Sequence, residues 1–397
     1  MKKSLTALSL GTLGFGIAEY VMMGILPDIA GALGVSIPRA GHFISAYALG
    51  VCVGAPLLAV VGRRLPLRKT LLALVVIYAA GNLGAALSGG YWTMVAARFV
   101  SGLPHGGFFG VGAIVAEKLA GKGKESQAVS AIIFGITVAN LVGVPFGTYV
   151  SNYLSWRDTF FIAAAWGAAV FLAIRFWVPR LPPLPDTGLK NQFVFLKRGA
   201  PWLLITATML GNAGLFCWYS YVSPVMTRVS GFTANDMTMI MVLAGAGMCA
   251  GNLMSGRLSD RFMPGRVAAV TQGIMAAALL LIFFFARIPC ASLTLMTVCT
   301  ACLFALSTPE QVLLIGHSGG GQLLGAASAQ VAFNLGNAIG AWCGAIPVRH
   351  GLGYEYTALP GVAFALIGFS LLVWFRLRYE RGETLPHPAH GKAGGGR

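Results

Sequence analysis

The sequence predicts an all-α membrane protein of twelve transmembrane helices, arranged as two six-helix halves related by pseudo-twofold symmetry. Three observations predict it. Of the 397 residues, 56% are apolar and only 10% charged, against roughly 25% charged in an ordinary soluble domain, and the mean hydropathy is +0.75. A soluble chain of this length has too much surface facing water to hide that apolar content. Apolar runs of about twenty residues, the length that crosses a bilayer, recur along the whole chain. The second half also repeats features of the first at a constant offset of 197 positions.

The runs follow in order. The first, near 5–26, grows out of "MKKSLTALSLG", a start that could pass for a secretory signal. It continues to about Leu26 without a small-residue cleavage site, so an uncleaved first span is expected. Runs near 42–62, 70–88, 92–116, 126–150 and 158–178 complete an N-terminal half, 1–178. "PRLPPLP" and the basic stretch behind it form a cytoplasmic linker, 179–200. Runs near 201–225, 236–256, 266–286, 291–315, 325–348 and 356–376 make the C-terminal half, 201–376. The polar, glycine-rich 377–397 is expected to be a disordered cytoplasmic tail.

The formal charge of +16 would suggest a nucleic-acid partner in a soluble chain, but its distribution argues otherwise. Of the 28 Lys and Arg, only Arg39, Arg157, Arg228, Arg287 and Arg349 fall in alternate loops starting from the first, and Arg98 lies within a span. The other 22 lie in the remaining segments, including both ends. That asymmetry places both termini in the cytoplasm. The basic charge orients the chain in the lipid bilayer and calls for no nucleic acid. The seven cysteines, Cys52, Cys217, Cys249, Cys290, Cys299, Cys302 and Cys343, sit in or at the ends of spans, as small apolar fillers rather than a disulfide framework.

The offset of 197 pairs Gly14 with Gly211, Gly50 with Gly247, Gly54 with Gly251, Arg64 with Arg261, Asn140 with Asn337, Gly143 with Gly340 and Gly147 with Gly344. It fails between spans four and ten, where loop lengths differ. Two halves of like orientation imply an axis along the membrane normal and a substrate site between the halves near the midplane, as in many secondary transporters. Small residues four apart (Gly50 and Gly54, Gly247 and Gly251, Gly143 and Gly147, Gly336, Gly340 and Gly344) let helix backbones approach closely in lipid. As a set they are expected to mark the spans that slide between the halves. Asn140 and Pro145 suggest a kink or hinge in span five, since proline removes a backbone donor.

Four stretches carry a family resemblance. "GRLSDR", after the second span of the second half, resembles the signature loop of the major facilitator superfamily. "GFGIAEYVMMGILPDIA" is similar to the first span of its twelve-span drug:proton antiporter branch, and "RFVSGLPHGGFFGVGAIVAEK" to that branch's fourth-span motif. "GVPFGTYVSNYLSWRDTF" looks like its fifth-span antiporter motif with the Trp-Arg…Phe that follows. The likeness covers essentially the whole chain and is closest to the AraJ-like sugar and arabinose efflux permeases. It implies the major facilitator fold and a cytoplasmic latch of Asp260, Arg261 and Arg257. In the first half the latch is altered: Arg63 stands where the aspartate belongs and Pro66 where a glycine is usual, leaving Arg63 and Arg64 as basic residues that can meet lipid headgroups.

Charge inside a membrane costs about 2.5–3.5 kcal/mol per group even on permissive insertion scales, so each such residue demands a reason. Glu19 lies past the middle of span one; it is either a coupling carboxyl, which takes and releases a proton as its surroundings alternate, or a structural group bonded to a neighbouring helix. Arg98, Ser101 and His105 share one face of span four. The resemblance makes Arg98 a proton-relay or substrate-anchoring residue, whereas His105 reads equally as a packing histidine. Glu310 in span ten is either a functional carboxylate or a snorkelling one near the cytoplasmic end. Asn212, Trp218 and Tyr219 of span seven could line a cavity for an aromatic or sugar-like ligand, with Tyr221 in an interfacial belt.

Some local patterns mislead. "GHSGG" at 316–320 matches a nucleophile elbow, but follows a membrane span instead of a strand. Cys299 and Cys302 lie in an apolar span without partners for a metal, and "GKGKES" lacks phosphate-loop spacing. No cofactor is expected, and without a nucleotide-binding domain transport must use an ion gradient or run downhill. The leading expectation is a monomeric, proton-coupled exporter of a small sugar-like or drug-like molecule in the bacterial inner membrane. The alternatives are a passive facilitator and, less well supported, a membrane-embedded enzyme using His105, Ser318 or the cysteines. Reporter fusions after residues 90 and 190 are expected to read outside and inside respectively; the reverse pattern would overturn this topology.

Overall fold

In the computed structural model, residues 2–61, 65–120, 132, 134–183, 197–317 and 322–380 are described. Among them twelve helices are long and apolar enough to cross a bilayer. They are α1 (Lys2–Ala32), α2 (Ile37–Leu57), α3 (Leu67–Ala86), α4 (Tyr91–Leu119), α5 (Phe134–Tyr153), α6 (Trp156–Trp177), α7 (Gly199–Arg228), α8 (Met237–Ser255), α9 (Pro264–Phe285), α10 (Pro289–Gly316), α11 (Ser328–Arg349) and α12 (Tyr354–Glu380). An even number of crossings puts Lys2 and Glu380 on one side, called here the terminal end; the opposite side is the far end.

Proline explains the interruptions. The backbone of α4 breaks at Leu103 and Pro104, so that His105 opens its second segment. In α5 a π-helical turn, Ala139–Gly143, precedes Val144–Tyr153. Pro145 supplies no N–H to the preceding turn, and a widened turn absorbs the missing bond. α12 ends in a second π-turn, Arg376–Glu380. The Glu380 carboxylate accepts from the Gly265 N–H at the start of α9, 2.8 Å, so the helix runs four residues into the expected tail. Residues 184–196 of the expected linker and 381–397 of the expected tail lie outside the described residues.

The two halves are built alike. α1 packs on α5 and α6, α2 on α4, and α3 on α4 and α6; in the second half α7 packs on α11 and α12, α8 on α10, and α9 on α10 and α12. Between the halves the principal contacts are α2 with α11 and α5 with α8, again a symmetric pair.

The spaced glycines belong to the interior of each half and not to the seam between them, which corrects the expectation from sequence. A β-carbon on Gly54 would run into the Leu103 carbonyl of α4, and one on Gly251 into the Ala301 carbonyl of α10. Gly340 and Gly344 lie against the α7 backbone at Ala213 and Cys217, while Gly143 and Gly147 meet Ile17 and Val21 of α1. Short spacing alone says that two helices are close, not which two. The seam uses other devices: Gly245 of α8 sits on the Asn140 backbone of α5, and the Ser45 hydroxyl donates to the Ala338 carbonyl, 2.9 Å. Cys52 and Cys249, themselves 197 apart, donate weakly to Val331 and Thr137 in the opposite half.

The apolar core is shared unequally between the two ends. At the far end one cluster joins both halves, with Met22, Leu26 and Phe43 packed among Trp218, Tyr221, Met241 and Met296. At the terminal end one cluster, around Leu71, Phe108 and Val115, belongs to the first half. Another, around Leu204, Leu314 and Phe375, belongs to the second. The halves are thus sealed together at the far end and separately cored at the terminal end.

"GRLSDR" is helical, contrary to the loop expected: the α8 helix continues unbroken to Arg261. Arg257 is exposed there. The side chains of Asp260 and Arg261, and all of Arg63 and Arg64, lie outside the described residues. In "WRDTF" the Ser155 hydroxyl caps α6, and the Arg157 guanidinium donates to the Ala86 and Ser88 carbonyls at 2.6 and 2.7 Å, closing the end of α3.

The tight crossings give a packing prediction. Gly251→Leu must displace the α10 backbone, an overpacking cost of about 1–3 kcal/mol or more, whereas Gly31→Ala meets open space. Size-exclusion yield and thermal unfolding of the solubilised variants are expected to fall for the first and stay unchanged for the second.

Candidate functional site

Five helices from both halves bring polar groups together just below the far-end core. Glu19 is buried on α1, a helix surrounded by its neighbours for most of its length. One carboxyl oxygen accepts from the Asn337 amide of α11, 3.1 Å. The Asn337 side-chain carbonyl accepts in turn from the Asn212 amide of α7, which also donates to the Phe333 carbonyl at 2.7 Å. A chain of hydrogen bonds therefore runs from α1 across the seam into α11 and α7. Its members satisfy one another in a buried setting, where unsatisfied polar groups are costly.

The other carboxyl oxygen faces His105 Nε2 at 3.7 Å. The break at Pro104 puts this imidazole at the start of a segment, where it stacks on Phe109 one turn later, with ring centroids 5.0 Å apart. Its Nδ1 meets the Tyr47 hydroxyl at 2.8 Å. Tyr47 is a site residue that the sequence reading passed over; its signal was a hydroxyl in the midst of an apolar run. The carboxyl, the imidazole and the phenol form a line along which a proton can be held or passed.

Arg98 is fully buried on α4. Its guanidinium donates to the Ala18 carbonyl at 2.8 Å and to Phe43 at 3.5 Å, and lies over the Tyr47 ring, 4.4 Å from its centroid. It forms no direct ion pair with Glu19 among the described residues, yet its charge stands next to the carboxyl's backbone neighbour and in the same dry environment. Nη2 of Arg98 has no hydrogen-bond partner among the described residues, and neither has the side-chain amide of buried Asn140.

The remaining candidates lie elsewhere. Glu310 is buried in the second half beside Thr208 of α7, so it does not snorkel; the α10 helix continues for six residues past it to Gly316. Trp218, Tyr219 and Tyr221 are fully buried in the shared far-end core. They line no open cavity here, and Tyr221 is no interfacial belt residue: its hydroxyl donates to the Ala341 carbonyl at 2.7 Å. An aromatic run near a span end looks the same in sequence whether lipid or another half covers it.

Twelve crossing helices in two like-built halves, with a polar chain across their seam, are the build of a multi-pass membrane transporter. Residues 8–331 match the Major Facilitator Superfamily, and the chain belongs to that family. It is 48% identical to AraJ of Escherichia coli K12 over 99% of both chains. It is 34% identical to the inner membrane transport protein YdhP of the same strain, over 96% of this chain and 97% of that one. The solved D-xylose-proton symporter shares the fold, with a TM-score of 0.76 at 17% identity, covering 94% of this chain and 97% of that one. The protein is accordingly a membrane transporter of small solutes and not an enzyme; Ser318 of "GHSGG" lies outside the described residues.

Removing the central amide tests the polar chain. Asn337→Ala leaves a Glu19 oxygen and the Asn212 amide short of a partner, which is expected to cost about 1–3 kcal/mol. Thermal unfolding in detergent measures it, and an unchanged midpoint would show that the bridge contributes nothing.

Proposed function

We propose that the protein exports a small sugar-like or drug-like solute across the bacterial inner membrane, driven by protons and working by alternating access as a monomer with both termini in the cytoplasm. One observation carries this reading: Glu19, paired with His105 in the first half, is hydrogen-bonded to Asn337 in the second. An ionised carboxylate makes a stronger hydrogen bond than a neutral one. The charge on Glu19 therefore sets how firmly α1 holds α11, and a change of proton occupancy changes the relative energy of the two seam arrangements. Release of the proton calls for access to water or a favourable partner. His105 and the nearby Arg98 supply that partner from α4.

Under this reading the sealed far end and separated terminal-end cores correspond to a conformation open toward the cytoplasm. The resemblance of the α5 stretch to the antiporter motif supports the outward direction of transport; that stretch holds the π-turn and Asn140, whose side-chain amide has no partner among the described residues. The end of α8, with Arg257, Asp260 and Arg261, is the proposed cytoplasmic latch, with Arg63 and Arg64 as its basic counterpart. Asn337 on α11, bonded across the seam to Glu19, and the α5 π-turn before Pro145, against which α8 packs, are the proposed carriers of the rocking motion, while Gly143, Gly147, Gly340 and Gly344 hold each half rigid. Glu310 is a second carboxyl available to the same chemistry.

Uphill efflux in everted vesicles with an imposed pH gradient tests the coupling. Glu19→Gln keeps the shape and a hydrogen-bond partner but holds no exchangeable proton. It is expected to lower gradient-driven efflux at least about tenfold while protein abundance and downhill flux persist. Full gradient-driven activity would remove Glu19 as the coupling group and pass the role to His105 or Glu310.

A further inference from the structure

A cavity of about 600 Å³ opens at the far end, away from the Glu19 cluster. Its walls come from both halves: Pro27, Ile37 and Pro38 from the first, and Arg228, Arg349 and Tyr354 from the second. The volume lies within the range of small-molecule sites, roughly 300–1,000 Å³.

Its charge is one-sided. Arg228 and Arg349 are both exposed, and neither forms an ion pair among the described residues. Arg228 lies over the Tyr354 ring, 5.6 Å from the centroid. Arg349 donates to Nε2 of His42 across the seam. Because a guanidinium only donates, His42 receives it as the neutral ring; its Nδ1 is engaged by the Tyr91 hydroxyl, 2.6 Å. That bond steadies one nitrogen of Arg349, and the rest of its planar fork has no hydrogen-bond partner among the described residues. A third cation, Arg39, sits over Tyr91, 4.3 Å from the ring centroid. The nearby carboxylates are engaged elsewhere: Asp28 accepts from Ser151 at 2.7 Å, and Glu355 pairs with Arg287 at 3.2 Å.

We propose that this far-end cavity is a binding site for an organic anion, with its carboxylate or phosphate held by Arg228 and Arg349 and its apolar body against Pro27, Ile37, Pro38 and Tyr354. Arginine forks suit planar and tetrahedral anions. Proline, isoleucine and tyrosine walls favour a ligand with more than a bare charged group. Since the walls belong to both halves, an occupant bridges them and stabilises the far-end-closed arrangement by mass action. The anion arrives either as a soluble solute or as the headgroup of an acidic lipid at the bilayer surface. The site is independent of the proton-coupling reading, because no residue is shared with the Glu19 cluster.

Isothermal titration of the full chain in phosphatidylcholine nanodiscs with benzoate tests this. Wild type is expected to give one saturable site. Arg228→Gln and Arg349→Gln are each expected to weaken it at least about tenfold, and Arg228→Lys, which keeps the charge but loses the fork, to fall between wild type and Arg228→Gln. Monodisperse elution of each variant checks folding. Repeating the titration in phosphatidylglycerol nanodiscs identifies the source: loss of benzoate binding assigns the cavity to lipid headgroups, and unchanged binding assigns it to a soluble anion. No saturable benzoate site in phosphatidylcholine, or wild-type affinity in both glutamine variants, would overturn the proposal.

Discussion

Hydrocarbon offers no hydrogen-bond partners, and that one constraint organises the molecule. Backbone groups must be satisfied within each crossing segment, so the chain is helical wherever it meets lipid. The same constraint decides where the helices can be interrupted. The break at Pro104 and the π-turn before Pro145 occur in α4 and α5, helices whose irregular stretches lie close to other helices of the bundle. Side chains obey the rule as well. Glu19, Asn337 and Asn212 satisfy one another, and Arg98 places Nε and Nη1 on the Phe43 and Ala18 carbonyls, leaving Nη2 without a partner among the described residues.

The construction from two like halves gives the protein a seam. Inside a half, glycines bring backbones into direct contact, as at Gly54 on Leu103 and Gly251 on Ala301, and interlocked contacts of that kind resist sliding. Across the seam one such contact recurs, Gly245 on Asn140, beside individual hydrogen bonds from Ser45, Cys52, Asn152, Cys249, Asn337 and Arg349 and an apolar plug at the far end. In the proposed cycle each half moves as a rigid body while the polar ties between the halves are exchanged. Placing an ionisable carboxyl among those ties is what makes a proton an effective control in the proposed cycle. At the far-end mouth Arg349 meets His42 across the same seam.

Much of this was legible in the sequence. The twelve crossings, the two halves and the unusual status of Glu19, Arg98 and His105 follow from local hydropathy, from the offset of 197 and from the cost of charge in lipid, all properties of residue order alone. Asn140 and Asn337 were visible as a symmetric pair, yet their environments differ: Asn337 is doubly bonded, and the Asn140 amide has no partner among the described residues. Internal repetition reveals equivalent positions in the fold, while function breaks the equivalence.

What the sequence by itself determined was therefore the set of helices, their order and their repetition, because apolar length and turn-breaking residues act locally. The tertiary structure alone decided which faces meet. It turned the spaced glycines inward to their own halves, folded Trp218, Tyr219 and Tyr221 into the far-end core, and buried Glu310 beside Thr208. It also set Tyr47 against His105 and joined Glu19 to Asn337, residues 318 positions apart. The physical reason is that lipid and protein interior are equally apolar, so a helix carries little record in its composition of which neighbour covers each face; only packing and the pairing of its rare polar groups settle that choice.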